Sequence, residues 1–271
     1  MDNRPIGFFD SGLGGLTSIP NLFANLPNER VIYFGDTART PYGSKAVSTI
    51  KQYSMQIADF LVSNDVKMIV IACNTISATC LDELRERFPQ IPILGIISPA
   101  ARAVARNCTE ENNVGIIATK VTIASGAYKE RIKDFNDSLN VHQLATPAFV
   151  PLIEEGIIEN EIMDLTIRYY MDDFIKDNKI DTLVLGCTHY PIIRKNIEKI
   201  YPDLKIVNPS YEIIGRVRQI LENDNALAGE NNDRENIFYA SDLSENFTNM
   251  IQKVLETEKS NLILKFKNLD L

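Results

Sequence analysis

The chain has 271 residues, 45% of them hydrophobic and 24% charged, the profile of an ordinary folded globule with ample material for a core. Its net charge of −8 repels phosphate backbones, so nucleic acid is not expected as a primary partner. No apolar run approaches the roughly 20 residues needed to cross a bilayer, and Met1-Asp2-Asn3-Arg4-Pro5 lacks the apolar stretch of a signal peptide, so a cytoplasmic protein without a membrane partner is expected.

In chain order, short apolar runs predict strands over Ile6–Phe9, Val31–Phe34, Met68–Ala72, Ile93–Ile97, Val114–Ala118, Val141–Ala145, Thr182–Gly186 and Lys205–Val207. Several are rich in Val and Ile and read as strands buried on both faces. Longer segments between them, such as Ser44–Asn64 and Glu159–Lys179, suit helices. This alternation predicts an α/β fold with mainly parallel sheets flanked by helices. Glu222–Glu235 is polar and Asn-rich and reads as an exposed loop, and Asn261–Leu271 as an edge strand.

A faint internal duplication runs through these elements. Met68-Ile69-Val70-Ile71-Ala72-Cys73-Asn74-Thr75 resembles Thr182-Leu183-Val184-Leu185-Gly186-Cys187-Thr188-His189, with the cysteines 114 positions apart. Upstream, Ile6–Ser11 resembles Val114–Thr119, 108 positions on; downstream, Ile97-Ser98-Pro99 resembles Val207-Asn208-Pro209, 110 positions on. The expected architecture is two similar domains related by a pseudo-two-fold, with a site in the cleft between them. The chain would cross near Ser98-Pro99 and Asn208-Pro209. Residues 1–97 plus 211–271 then form the first domain and 98–210 the second.

Four cysteines are present, Cys73, Cys80, Cys108 and Cys187, without a CxxC pair. A reducing compartment disfavours disulfides, and with two histidines, His142 and His189, a metal site is not expected. Cys73 and Cys187 each follow a buried strand and precede a helix, whose free N–H groups favour a thiolate. Ligands of open α/β sheets bind at such strand ends. Cys80, within an expected helix, and Cys108, in a polar stretch, read as structural or incidental.

Two thiols facing one cleft suit removal of a proton from one face of a carbon and delivery to the other. Each must act as base in one direction and acid in the reverse. Asp10, ending the first strand, and His189, two residues past Cys187, are candidates for adjusting them; a helix cap and a surface histidine are the plainer readings. Gly12-x-Gly14 after a strand, with Asp36 ending the next, partly matches a dinucleotide fingerprint, but Thr17 stands at the third glycine position. The plainer reading is a tight turn using glycine's conformational freedom. Pro41-Tyr42-Gly43, Asn74-Thr75, Thr119 and Thr188 offer hydroxyls, amides and backbone N–H groups suited to carboxylates.

Asp10-Ser11-Gly12-x-Gly14-Gly15-Leu16-Thr17, Gly35-Asp36-Thr37, Pro41-Tyr42-Gly43, Ala72-Cys73-Asn74-Thr75 and Gly186-Cys187-Thr188-His189-Tyr190-Pro191 resemble, in order, the motifs of cofactor-independent glutamate racemases. The resemblance spans about Ile6 to Pro209, and its two cysteine motifs are the specific ones. It implies that Cys73 deprotonates D-glutamate and Cys187 deprotonates L-glutamate, with Asp10 and His189 assisting. It assigns substrate contacts to Asp10, Ser11, Tyr42, Gly43, Asn74, Thr75, Thr188 and His189, and Thr119 joins them. Glu154 matches a further assisting acid, with Glu155 the alternative. The implied partner is a small molecule, glutamate; no cofactor is expected, and a homodimer is the assembly kept open. The implied role is D-glutamate supply for bacterial peptidoglycan, and so for the wall and cell shape.

Three alternatives stand beside this reading. One is an aspartate or hydantoin racemase of the same superfamily, against which Cys-Thr-His favours glutamate. The second is a non-catalytic two-lobed binding protein, which has no need of twin cysteines. The third is a nucleotide-dependent oxidoreductase. The final sixty residues carry no motif.

Overall fold

Ten strands are found among the described residues of the computed structural model, which are 1–230, 235–245, 247–249, 251–252 and 262–269. They are β1 (Ile6–Asp10), β2 (Val31–Gly35), β3 (Met68–Ile71), β4 (Ile93–Gly95), β5 (Asn113–Ala118), β6 (Asn140–Ala145), β7 (Thr182–Gly186), β8 (Lys205–Val207), β9 (Asn236–Ala240) and β10 (Leu262–Phe266). They form two sheets, in the orders β10-β9-β2-β1-β3-β4 and β6-β5-β7-β8. All pairings are parallel. The order β2-β1-β3-β4 of the first sheet thus recurs as β6-β5-β7-β8 in the second, the duplication expected from the repeated motifs.

The α-helices are α1 (Ile19–Asn25), α2 (Val47–Ser63), α3 (Asn74–Thr79), α4 (Leu81–Arg87), α5 (Ile97–Asn107), α6 (Lys120–Ala124), α7 (Ala127–Phe135), α8 (Phe149–Glu154), α9 (Glu161–Asn178), α10 (Arg194–Ile200) and α11 (Pro209–Asn223). Their apolar spacing explains their seating. In α2 the buried residues Ile50, Ser54, Ile57, Ala58 and Leu61 make one stripe at helical period. The N-terminus of α11 is set by Asn208, whose side chain accepts from the Ser210 N–H, followed by Pro209 in the first turn.

Central strands are buried throughout, β1, β2 and β7 at every residue. Alternate residues serve different cores. Ile6, Phe8 and Val70 of the first sheet share one apolar cluster with Val114, Ile116 and Val184 of the second, together with Ala100 and Val104 of α5 and Ile213 and Val217 of α11. The opposite faces have separate clusters, around Phe9 and Ile71 in one sheet and Ile117 and Leu185 in the other.

All eight expected strands occur, Thr182–Gly186 and Lys205–Val207 at the expected bounds and the other six with shifted ends. The expected strand Ile93–Ile97 stops at Gly95 because Ile97 already opens α5, and the first turn of that helix is itself buried. Cys80 lies at the junction of α3 and α4 rather than inside one helix, and Cys108, expected in a polar stretch, is buried at the end of α5 with its Sγ 3.8 Å from Thr182 Oγ1. β9 was not expected; its buried residues Asn236, Phe238 and Ala240 alternate with half-buried Ile237 and Tyr239. β10 falls within the expected C-terminal edge strand and lies at the sheet edge, while residues 261, 270 and 271 are outside the described residues. The expected loop Glu222–Glu235 begins one residue after Leu221, still within α11, and residues 231–234 of it are outside the described residues.

We propose the domain division 1–97 plus 211–271 and 98–210, on the ground that β9 and β10 complete the first sheet; its second boundary then falls within α11. Among the described residues, no helix is long and apolar enough to cross a membrane.

Candidate active site

The strand register places the two cysteines equivalently. Phe9 pairs with Ile71 in the first sheet and Ile117 with Leu185 in the second, and Cys73 and Cys187 each stand two residues beyond that pair. Both line one small cavity of 20 Å³, room for about one water. Ser11, Tyr42, Gly43, Asn74 and Thr75 wall it from one half, and Thr119, Thr188 and His189 from the other, with Thr40, Pro41 and Val150 completing it. All the expected contact residues except Asp10 therefore reach the cavity wall. Asp10 stands behind it, fully buried.

The halves meet at glycines. A Cβ on Gly14 would stand 2.4 Å from Thr188 Oγ1 and 2.8 Å from His189 Nδ1, and one on Gly43 would stand 2.5 Å from Thr119 Cβ. Neither glycine has positive φ, so the Gly-rich turn is explained by close approach rather than by the conformational freedom expected for it.

Around Cys73, the thiol donates to Ser11 Oγ at 3.5 Å. Burial and the Asp10 carboxylate push this thiol well above its ordinary value, against the Ile76 N–H and the Ser11 hydroxyl. Cys73 is the N-cap of α3, where a lowered value was expected. Loss of solvent and a neighbouring negative charge outweigh the N–H groups of one short helix. Asp10 accepts from the N–H groups of Gly12 at 3.2 Å and Gly15 at 3.0 Å, and from Thr188 Oγ1 at 3.4 Å. Burial still pushes its carboxyl upward, against His189 and the backbone donors.

Cys187 has a different neighbour. Its Sγ lies 3.9 Å from His189 Nδ1, and His189 Nε2 lies 3.1 Å from Glu154 Oε1. Burial alone would lower the imidazole's value, but Cys187 and Glu154 raise it from 6.5 to about 10. His189 therefore carries its proton at neutral pH. Glu155 is exposed just past α8, so Glu154 is the acid that reaches the site.

Hydroxyls gather on the Asn74 side of the cavity. Thr75 Oγ1 lies 3.1 Å from Thr119 Oγ1 and 3.2 Å from Thr122 Oγ1. Asn74 Oδ1 accepts from Tyr128 Oη at 2.6 Å, while its buried Nδ2 has no partner among the described residues. Thr122 and Tyr128 were missed from the sequence, where each reads as an ordinary helix residue.

A second set of missed contacts supports Tyr42. Its hydroxyl donates to Asp36, which is fully buried and also accepts from Arg39 Nε at 2.8 Å and Ser241 Oγ at 2.8 Å. Ser241 in turn accepts from the Ala38 N–H at 2.9 Å. Asp36 is thereby committed to the loop carrying Tyr42, which leaves it unlike the ribose-binding acid of a dinucleotide fold. Among the described residues, no group of three or more His, Cys, Asp or Glu side chains is arranged to hold a metal ion.

Comparison with known proteins accords with this geometry. Residues 19–210 match the family model for Asp/Glu/Hydantoin racemase. The glutamate racemase of Sulfurihydrogenibium sp. (strain YO3AOP1) is 42% identical over 261 residues, covering 95% of this chain and 97% of the relative. That of Neisseria meningitidis (strain FAM18) is 42% identical over 252 residues, 93% of each chain. The crystal structure of glutamate racemase from Francisella tularensis in complex with D-glutamate superposes with a TM-score of 0.91 at 41% identity, covering 100% of this chain and 99% of that one. The two-sheet fold, the paired strand-end thiols and similarity along whole chains agree: the chain belongs to the Asp/Glu/Hydantoin racemase family.

Proposed function

We propose that this chain interconverts L- and D-glutamate by two-base proton transfer between Cys73 and Cys187. One observation carries the reading: two cysteines occupy matched positions at one cavity, Cys73 beside the buried Asp10 and Cys187 with its Sγ 3.9 Å from His189 Nδ1. With Cys187 as the thiolate and Cys73 as the thiol, Cys187 takes the α-proton of L-glutamate, and Cys73 gives its own proton to the opposite face. The result is D-glutamate, a Cys73 thiolate and a Cys187 thiol, which is the starting state of the reverse reaction. His189 faces Cys187 and is held by Glu154; Asp10 sets the field at Cys73. Ser11, Tyr42, Gly43, Asn74, Thr75, Thr119 and Thr188 supply the donors for the two carboxylates. A cavity of this size does not hold glutamate, so entry requires the halves to part at Gly14 and Gly43.

Two thiol bases already account for both proton transfers, so the reaction is proposed to need no cofactor. Product D-glutamate would serve peptidoglycan synthesis, the role implied by the family. The cytosol is the proposed location, in keeping with four free cysteines. A homodimer is proposed through the exposed row Ile162, Leu165 and Tyr169 on one face of α9, to be checked by sedimentation.

The substrate assignment is tested by following optical rotation with L-glutamate, L-aspartate and a hydantoin, after dialysis against chelator and without pyridoxal phosphate. Racemisation of glutamate above the others is expected. Preference for aspartate or a hydantoin would move the chain to a sister activity, and activity restored only by a metal or pyridoxal phosphate would refute the cofactor-free mechanism.

A further inference from the structure

Asn74 faces two ways. Its Oδ1 accepts from Tyr128 Oη at 2.6 Å, while its Nδ2, equally buried, has no partner among the described residues. An amide has one acceptor end and one donor end, and a buried donor left unpaired is costly unless a ligand completes it. Asn74 lines the cavity, so its donor end stands where a substrate carboxylate oxygen would accept.

Tyr128 comes from the other half of the molecule. It lies in α7, is fully buried, and packs next to the Gly186 backbone, where a Cβ would stand 3.3 Å from its ring. Its hydroxyl donates to one oxygen only, that of Asn74. Rotating the Asn74 amide by half a turn would bring its oxygen toward the substrate carboxylate and its NH₂ toward Tyr128. Both substrate carboxylates are acceptors, so only the orientation with Nδ2 toward the cavity is productive, and it is the one in which Tyr128 Oη donates to Asn74 Oδ1.

We infer that Tyr128 is a positioning residue for substrate binding: its hydroxyl fixes the Asn74 amide with the donor end toward a glutamate carboxylate, and does so only when the two halves are together. This rests on the reading of the cavity as a glutamate site. Tyr128 thus couples closure to binding through one hydrogen bond that spans the halves.

The test is a double-mutant cycle with Tyr128→Phe and Asn74→Ala, read as KM and kcat in both directions. Tyr128→Phe keeps the ring and its packing. It is expected to raise KM for L- and D-glutamate alike by about five- to tenfold, the worth of one hydrogen bond, with kcat within about twofold. In the Asn74→Ala background the same substitution should add nothing. Asn74→Asp keeps an acceptor for Tyr128 but removes the donor, and is expected to raise KM at least as much as Asn74→Ala. An unchanged KM in Tyr128→Phe, an undiminished effect of Tyr128→Phe on top of Asn74→Ala, or wild-type binding by Asn74→Asp would each overturn the inference. These failures all presuppose an active wild-type chain; a wild type that neither binds nor racemises glutamate would instead overturn the site reading, and the inference with it.

Discussion

Cys73 and Cys187 hold the same position in two copies of one strand order, yet their polar neighbours differ in kind. Cys73 meets the Ser11 hydroxyl at 3.5 Å, and Cys187 meets the His189 ring at 3.9 Å. Register explains the difference. Ser11 follows β1 where Thr119 follows β5, and Asp10 stands where the second half has Ala118. Likewise Thr75 stands two residues after Cys73, where His189 stands after Cys187. A symmetric scaffold thus carries an acid on one side and an imidazole on the other.

Replacing either thiol should stop the reaction. Cys73→Ser and Cys187→Ser are each expected to lower kcat/KM by well over ~10²-fold, because a serine hydroxyl is far too weak an acid to share a proton at neutral pH. Circular dichroism should show the fold retained. Turnover near the wild-type rate in either variant would count against two-base transfer.

The asymmetry should appear in direction-dependent kinetics. Enantiomers have an equilibrium constant of one, so Asp10→Asn and His189→Asn must each slow kcat/KM equally in both directions. The expected difference lies in kcat and in solvent isotope effects, perturbed in opposite senses by the two variants. Identical directional patterns in the two would show that Asp10 and His189 do not serve separate thiols.

His189 also makes stability depend on pH. Its folded value, about 10, lies above the ordinary 6.5. The folded state therefore holds this proton more tightly. Its contribution is complete below about pH 6.5, declines as pH rises, and is lost above about pH 10. The thermal midpoint of the wild type should fall more steeply across that window than that of His189→Asn. Parallel curves would mean that the ring is not held charged by Cys187 and Glu154.

Glu154 and the interface glycines give two further checks. Glu154→Gln removes the negative partner 3.1 Å from His189 Nε2, and should move the alkaline limb of kcat/KM to lower pH while costing about tenfold in rate. An unmoved limb would remove Glu154 from the mechanism. Gly14→Ala places a Cβ 2.4 Å from Thr188 Oγ1 and 2.9 Å from the Thr188 carbonyl carbon. Backbone there cannot yield, so a loss of about 10²-fold in kcat/KM is expected from misplacing Thr188 and His189. Full activity would show that the halves need not approach this closely.

Much of this was legible in the sequence. Strands buried on both faces announce themselves as Val- and Ile-rich runs, and the repeated run-then-cysteine pattern exposed both the duplication and the pair of thiols. Glu154 was separated from Glu155 only by the turn of α8, which sends one toward His189 and the other to solvent. Tyr128 and Ser241 carried no signal, because a tyrosine in a helix and a serine after a strand acquire meaning from partners 54 and 205 residues away. The protonation of Cys73 was misjudged for a related reason. It is a balance of burial, Asp10 and helix donors, and burial depends on how the halves close.

The most direct test of the central claim is incubation of the purified chain with L-glutamate in D₂O, sampled early. Two-base transfer predicts D-glutamate that carries α-deuterium, while the remaining L-glutamate keeps its protium, because the proton taken by Cys187 is not the one delivered by Cys73. D-glutamate that forms with the original α-proton, or L-glutamate that gains deuterium as fast as inversion occurs, would contradict it.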